Sequence, residues 1–401
     1  MAPALTMKTP INATSVAARR RLESDTSLPI ITQTAGLPIP WGGPAAPGQG
    51  AAGKGRTASA GSPDPYNPCV LARAGAWLDR AAFNPASLPD GLIVGIALTP
   101  PVAAGLLIFK LPAVEMLGAA LALGLGGQLL VFLLWRRQVA RPQASPLIAA
   151  VFGAALVGAG APLAVTIAIS ALAVILEVLR ARYVPAIRAQ VGLLAYAAVA
   201  LITRGAPFAY VNPVTGRQFS DPIGLWFHYF GPQAAPIDAV RLYVGNVPGP
   251  VFATSLLAVA IAIAWLAYAR RLSLVVLATF LLGALVPIYL FHWDLVFHLD
   301  SGPTWFVAGL LLADRRLLPG SWAVRPVIGL VGGIFAVGLR GRGYGIEAAL
   351  FTVAGIQAAM AVVAVIMWGA ALLRERWQRN RRLKQREAQL RVVNGDVSRA
   401  S

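Results

Sequence analysis

Ten apolar stretches, at about 91–111, 113–135, 147–160, 163–179, 189–203, 251–268, 272–291, 303–313, 323–339 and 347–373, dominate this chain and decide its solvent. About 20 apolar residues in a helix, each rising 1.5 Å, span a hydrocarbon core about 30 Å thick. With 57% of residues hydrophobic, 12% charged and a mean hydropathy of +0.67, the chain is too apolar for a water-soluble protein of its length. The expected class is an all-α polytopic membrane protein.

The arginines fix the expected orientation. If the N-terminus starts in the cytoplasm, the even-numbered connections are cytoplasmic, and these hold Arg136, Arg137 and Arg141, then Arg180, Arg182 and Arg188, then Arg270 and Arg271, then Arg315, Arg316 and Arg325. The outer connections carry Lys110, and Arg204, Arg217 and Arg241 spread along one long loop, with Arg340 and Arg342 as the exception. The excess of basic residues on alternate connections predicts ten crossings of the plasma membrane, with both termini cytoplasmic. The formal charge of +18 belongs to this pattern, and no soluble segment of domain size remains to present it to nucleic acid.

Ten crossings divide into two sets of five, and an odd number per set inverts the second set relative to the first. The third member of each set, Leu147 to Gly160 and Pro303 to Ala313, is the short one; the latter reaches about half-way across the core. Paired short segments point to a site where inverted repeats meet, with irregular backbone tolerated because it lines a cavity. The expected organisation is a disordered cytoplasmic tail at 1–65, an interfacial amphipathic helix at 66–88, five-helix repeats at 89–204 and 250–373, an extracytoplasmic loop at 205–249, and a basic cytoplasmic tail at 374–401. In the interfacial segment, Val70, Ala74, Trp77 and Ala81 recur at helical spacing, away from Arg73, Asp79 and Arg80.

Several chemistries are excluded. Cys69 stands alone, so the chain forms no internal disulfide and cannot ligate an iron–sulfur cluster or a structural zinc. His292 and His298 lie at one membrane edge and His228 in a loop, a layout that suits interfacial hydrogen bonding better than a bis-histidine haem. No phosphate-binding loop, dinucleotide fingerprint or catalytic serine motif occurs. The ionisable candidates at membrane depth are Asp294, Asp300, Asp314 and Glu347, at the ends of the short and last segments, where helix capping is the competing role. Glu177, one turn from Arg180, reads as a structural ion pair. Trp226, Phe227, Tyr229 and Phe230 read as an interfacial belt or as a cover for a planar ligand.

The stretch "HLDSGPTWFVAGLLLADRRLLPGSWAVRPVIGLVGGIFAVGLRGRGYGIEAALFTVAGIQAAMAVV" resembles a run shared by the RnfD subunits of Rnf electron-transport complexes and the NqrB subunits of sodium-pumping NADH:quinone reductases. His298, Ser301, Gly302, Thr304, Asp314, Gly332, Gly333, Arg340, Tyr344, Glu347, Phe351 and Gln357 stand at the motif positions. Upstream, "SPLIAAVFGAALVGAGAPLAV" is similar to the corresponding family segment. The resemblance implies two inverted five-helix repeats and a role as an integral membrane subunit, with other membrane subunits as partners, in an ion-translocating electron-transport complex. It implies an FMN or riboflavin cofactor, for which Asp300, Ser301, Gly302, Thr304, Asp314, Arg340, Glu347 and Gln357 are the candidate binding residues.

Two departures qualify this. The family esterifies FMN to a threonine, and the matching segment here, "AAPIDAVR", has Ala235 at that position, with Thr254 as the nearby substitute. A covalent FMN is therefore not expected, and any flavin is noncovalent or lost. The family's N-P-F-N-P-A link is replaced by "RARYVPAIRAQ", and its T-D-P by Ala313, Asp314 and Arg315. The alternative is a small-solute channel or carrier built on the same inverted repeats.

Overall fold

A computed structural model describes residues 85–135, 145–218, 223–224 and 238–400. The chain divides into Met1–Pro65 and Tyr66–Ser401, and everything described belongs to the second unit. The expected interfacial helix at 66–88 falls outside the described residues except for a single turn at Pro85–Ser87, and Trp226 to Phe230 and Ala235 fall outside them altogether.

Helices occupy all ten apolar stretches. The first five are α1 (Asp90–Phe109), α2 (Leu111–Leu134), α3 (Pro146–Ala155), α4 (Leu163–Tyr183) and α5 (Val191–Ile202). After a loop and a short helix, Ala239–Val244, come α6 (Leu256–Tyr268) and α7 (Leu274–Leu290). A second short helix, Leu295–Asp300, leads into α8, which opens as a turn at Thr304–Phe306 and widens into a π-helix at Val307–Leu312. α9 is Val324–Gly338, with a 3-10 extension to Arg342, and α10 runs unbroken over Glu347–Ala400. No strand occurs among the described residues, only three isolated β-bridges.

Five of these helices are long and apolar enough to cross a membrane: α1, α2, α4, α9 with its extension, and α10 as far as Gln385. They turn large apolar side chains outward, among them Leu107, Leu129, Ile175 and Phe335, which suits a hydrocarbon surround rather than water. α3 and α8 do the opposite. Eight of the ten residues of α3 are buried, as is every residue from Phe306 to Ala313. They touch each other, Phe152 of α3 packing edge-on to Phe306 of α8 with ring centroids 6.1 Å apart.

A helix of ten residues is about 15 Å long, so α3 stops inside the protein, where its last carbonyls have no water to turn to. "VGAGAP" ends it, because two glycines and a proline favour a turn. The freed backbone pairs with two other segments. Val251 N donates to Val157 O at 2.9 Å and Phe252 N to Ala155 O at 3.3 Å, while Gly158 N and Gly160 N donate to Pro207 O and Ala209 O. α8 ends in the same manner: Ser273 N donates to Ala313 O at 2.8 Å and Arg315 N to Arg271 O at 2.9 Å.

The closest helix pair is α7 with α9. A Cβ at Gly333 would land on the carbonyl oxygen of Phe280, one at Gly283 on that of Leu330, and one at Gly329 would lie 2.5 Å from Val276 O. Glycines four apart on α9 thus bring two backbones into direct contact. This is how membrane helices associate when lipid removes the hydrophobic drive between them.

Candidate functional site

The residues singled out in the sequence separate into three places. The first surrounds the N-terminal end of α8. Arg340, just beyond α9, is fully buried, and its guanidinium bridges the end of Leu295–Asp300 to the start of α8. It donates to the carbonyl oxygen of His298, to Ser301 Oγ at 3.2 Å and to Thr304 Oγ1 at 2.7 Å, with Ser301 O at 3.5 Å. Thr304 Oγ1 also donates to Ser301 O at 3.0 Å. Gly302 is needed here because its φ is +68° and its α-carbon packs against Ile346, so a side chain would meet both strain and a clash.

Asp300 borders this cluster but faces other donors, accepting from Trp305 Nε1 at 3.0 Å and from Tyr243. Burial raises its pKa above the usual carboxylate range, and the Trp305 and Tyr243 hydrogen bonds work against that shift. Glu347, at the start of α10, accepts from Tyr210 at 3.0 Å. The His298 ring lies between Trp293, stacked at 4.7 Å, and Phe297, edge-on at 5.2 Å. Burial, and then the nearby Arg340 charge, lower its pKa from 6.5 to about 3.

His298 therefore stays neutral in the folded protein where the unfolded chain takes up a proton. The unfolded state binds more protons between pH 6.5 and 3, so stability is full above 6.5 and falls as pH drops towards 3, by at most about 1.4 kcal/mol per pH unit. The expected result is a wild-type melting midpoint that declines between pH 6.5 and 5 more steeply than that of His298→Asn, measured in detergent.

The second place is the far end of α8. Asp314 lies ten residues beyond Thr304, and its partners are not its neighbours Arg315 and Arg316 through their side chains. Arg271 Nη2 reaches both its carboxylate oxygens at 3.4 Å, and the Arg316 backbone N–H donates to Oδ1 at 3.0 Å. Arg271 and Arg316 also pair with Asp90, at the start of α1. Two carboxylates and two guanidiniums thereby join α1, the α6–α7 turn and the end of α8. Asp300, Ser301 and Thr304 stand at the N-terminal end of α8 and Asp314 just beyond its C-terminal end.

Gln357 marks the third place. Fully buried on α10, it donates through Nε2 to Leu311 O in the π-helix at 2.7 Å and accepts from Gln190 N, before α5, at 2.8 Å. Its role is to satisfy backbone that two broken elements leave exposed. Gln357→Leu would strand one buried carbonyl, at a cost of about 1–3 kcal/mol, and one partly buried N–H. The expected outcome is a folded yield well below that of the wild type, read by fluorescence-detected size-exclusion chromatography. Glu177 does similar work for α3: it pairs with Arg180 at 2.7 Å, as its spacing predicts, and accepts from Ser145 N at 3.0 Å.

The Ser301 and Thr304 hydroxyls are engaged by Arg340 within a fully buried cluster. A recess of about 520 Å³ is lined by Leu285, Ile288, Tyr289, His292, Trp293 and Leu295, and Trp293 stacks on His298. The partners that sequence reasoning missed, Asp90, Arg271, Tyr210, Tyr243 and Trp305, lie far from the motif or in its apolar positions.

An all-helical chain with lipid-type outer faces and two short helices buried at its centre is a polytopic membrane protein. The NQR2, RnfD, RnfE family model matches residues 91–365, so the chain belongs to that family, whose members are membrane subunits of Rnf- and Nqr-type complexes. No curated protein matches it.

Proposed function

We propose that the chain is the membrane subunit of an Rnf/Nqr-like assembly that couples electron transfer to ion movement, built as two inverted five-helix repeats, with flavin noncovalent or lost. The carrying observation is the convergence of the family motif, His298, Ser301, Gly302, Thr304 and Arg340, on one buried hydrogen-bonded cluster at the head of α8. Such a cluster orients a half-helix inside the bundle.

The repeat is supported by matching details. Lys110 between α1 and α2 and Arg270 between α6 and α7 both have positive φ, 53° and 55°. Gly158 after α3 and Asp314 after α8 each form an isolated bridge to a distant segment. Phe152 against Phe306 puts the two short helices in contact.

Ala235 offers no oxygen to phosphorylate, so this reading carries no covalent flavin. The test is purification with membrane neighbours, followed by flavin absorbance and in-gel fluorescence. Co-purifying redox subunits and no fluorescence after denaturation are expected. A fluorescent band that survives denaturation contradicts the loss of the covalent site, and solute uptake into vesicles by the chain alone would replace this reading with the channel or carrier.

A further inference from the structure

α10 does not stop where its apolar run stops. It continues through Arg374 without a break, and every side chain from Leu373 to Gln385 is exposed. The eleven residues 374–384 hold six cations, Arg374, Arg376, Arg379, Arg381, Arg382 and Lys384, against one acid, Glu375. At about 100° per residue the cations point to all sides of the helix. Arg379 with Arg382, and Arg381 with Lys384, are like charges one turn apart, which destabilises a helix standing alone in water. A surrounding counter-charge would relieve this repulsion.

Position identifies the source. Arg374 directly follows the apolar Leu373, so no linker lets the charge leave the membrane surface. Eleven helical residues cover about 16 Å. A headgroup layer of about 5–8 Å and a Debye length of about 8 Å at physiological salt together span the same depth. Trp377, 56% exposed, sits one turn past Leu373, where indole rings settle at the interface, and the Arg381 guanidinium carbon lies 3.4 Å from its ring centroid. A docked protein would meet one face of a helix, whereas headgroups meet all of them.

We propose that residues 374–384 form a collar that binds anionic phospholipid headgroups in the leaflet at the C-terminal end of α10. It is tested with the full chain in nanodiscs of phosphatidylcholine alone and of phosphatidylcholine with equal phosphatidylglycerol, by amide hydrogen exchange over 374–391. Wild-type exchange slows at least about fivefold in the anionic discs, and added salt removes the protection. R379Q/R381Q/R382Q/K384Q exchanges at one rate in both discs, while unchanged exchange over 347–373 reports that the fold is intact. Equal wild-type rates in the two discs overturn the proposal, as does full protection in the variant or protection produced only by added polyuridylate.

Discussion

Arg340→Met lowers the stability of the folded protein by about 3–5 kcal/mol, the largest expected effect of any single polar substitution in the chain. The guanidinium supplies donors to the His298 carbonyl and to the Ser301 and Thr304 hydroxyls within a cluster sealed from solvent. Methionine fills much of the volume but donates nothing, so three acceptors lose a partner in a place that water does not reach. Arg340→Lys keeps one cation and three donors without the planar fork, and falls between. Melting midpoints in one detergent should order as wild type, Arg340→Lys, Arg340→Met. A methionine variant as stable as wild type would remove the cluster from the account of how α8 is held.

Gly333→Val is expected to be nearly as damaging for a different reason. Its Cβ would occupy the position of the Phe280 carbonyl oxygen, which belongs to backbone and cannot rotate away. α7 and α9 must then move apart, losing the close approach that also involves Gly283 and Gly329. The cost should reach or exceed about 3 kcal/mol, the upper part of the range for overpacked cores. Gly355 on α10 has nothing within 4 Å of where its Cβ would stand, so Gly355→Ala should be neutral or raise stability by up to about 1 kcal/mol through helix propensity. The contrast between the two glycines, in thermal midpoint or in folded yield, separates packing from a general dislike of added side chains.

The positions of the helices were legible in the sequence because lipid imposes a one-dimensional rule. Apolar length marks a helix, and Gly or Pro clusters such as that after α3 mark its end. The shortness of α3 and α8 was legible for the same reason, and so was the Glu177–Arg180 pair, since partners one turn apart are dictated by helix geometry. What satisfies a broken helix was not. Gln357 reaches Leu311 across 46 residues and Gln190 across 167, and no local pattern tells a buried glutamine that caps backbone from one that binds a ligand. Arg340 departs from the orientation rule in sequence because that rule concerns solvated charge, and this guanidinium is enclosed. Asp314, grouped with Asp300 by motif, belongs instead with Arg271 and Asp90, because α8 carries it to the opposite end of the site.

The proposed function rests on the second five helices being an upside-down copy of the first. On that reading Lys110 and Arg270 stand at equivalent turns, and both are exposed. In a Cys69→Ser background, Lys110→Cys and Arg270→Cys are exposed separately to a membrane-impermeant maleimide, in sealed vesicles of known sidedness and after their permeabilisation. Inversion predicts that Lys110→Cys labels from the outside alone and Arg270→Cys only once the cytoplasmic face is opened. Labelling of both from the same side would contradict it.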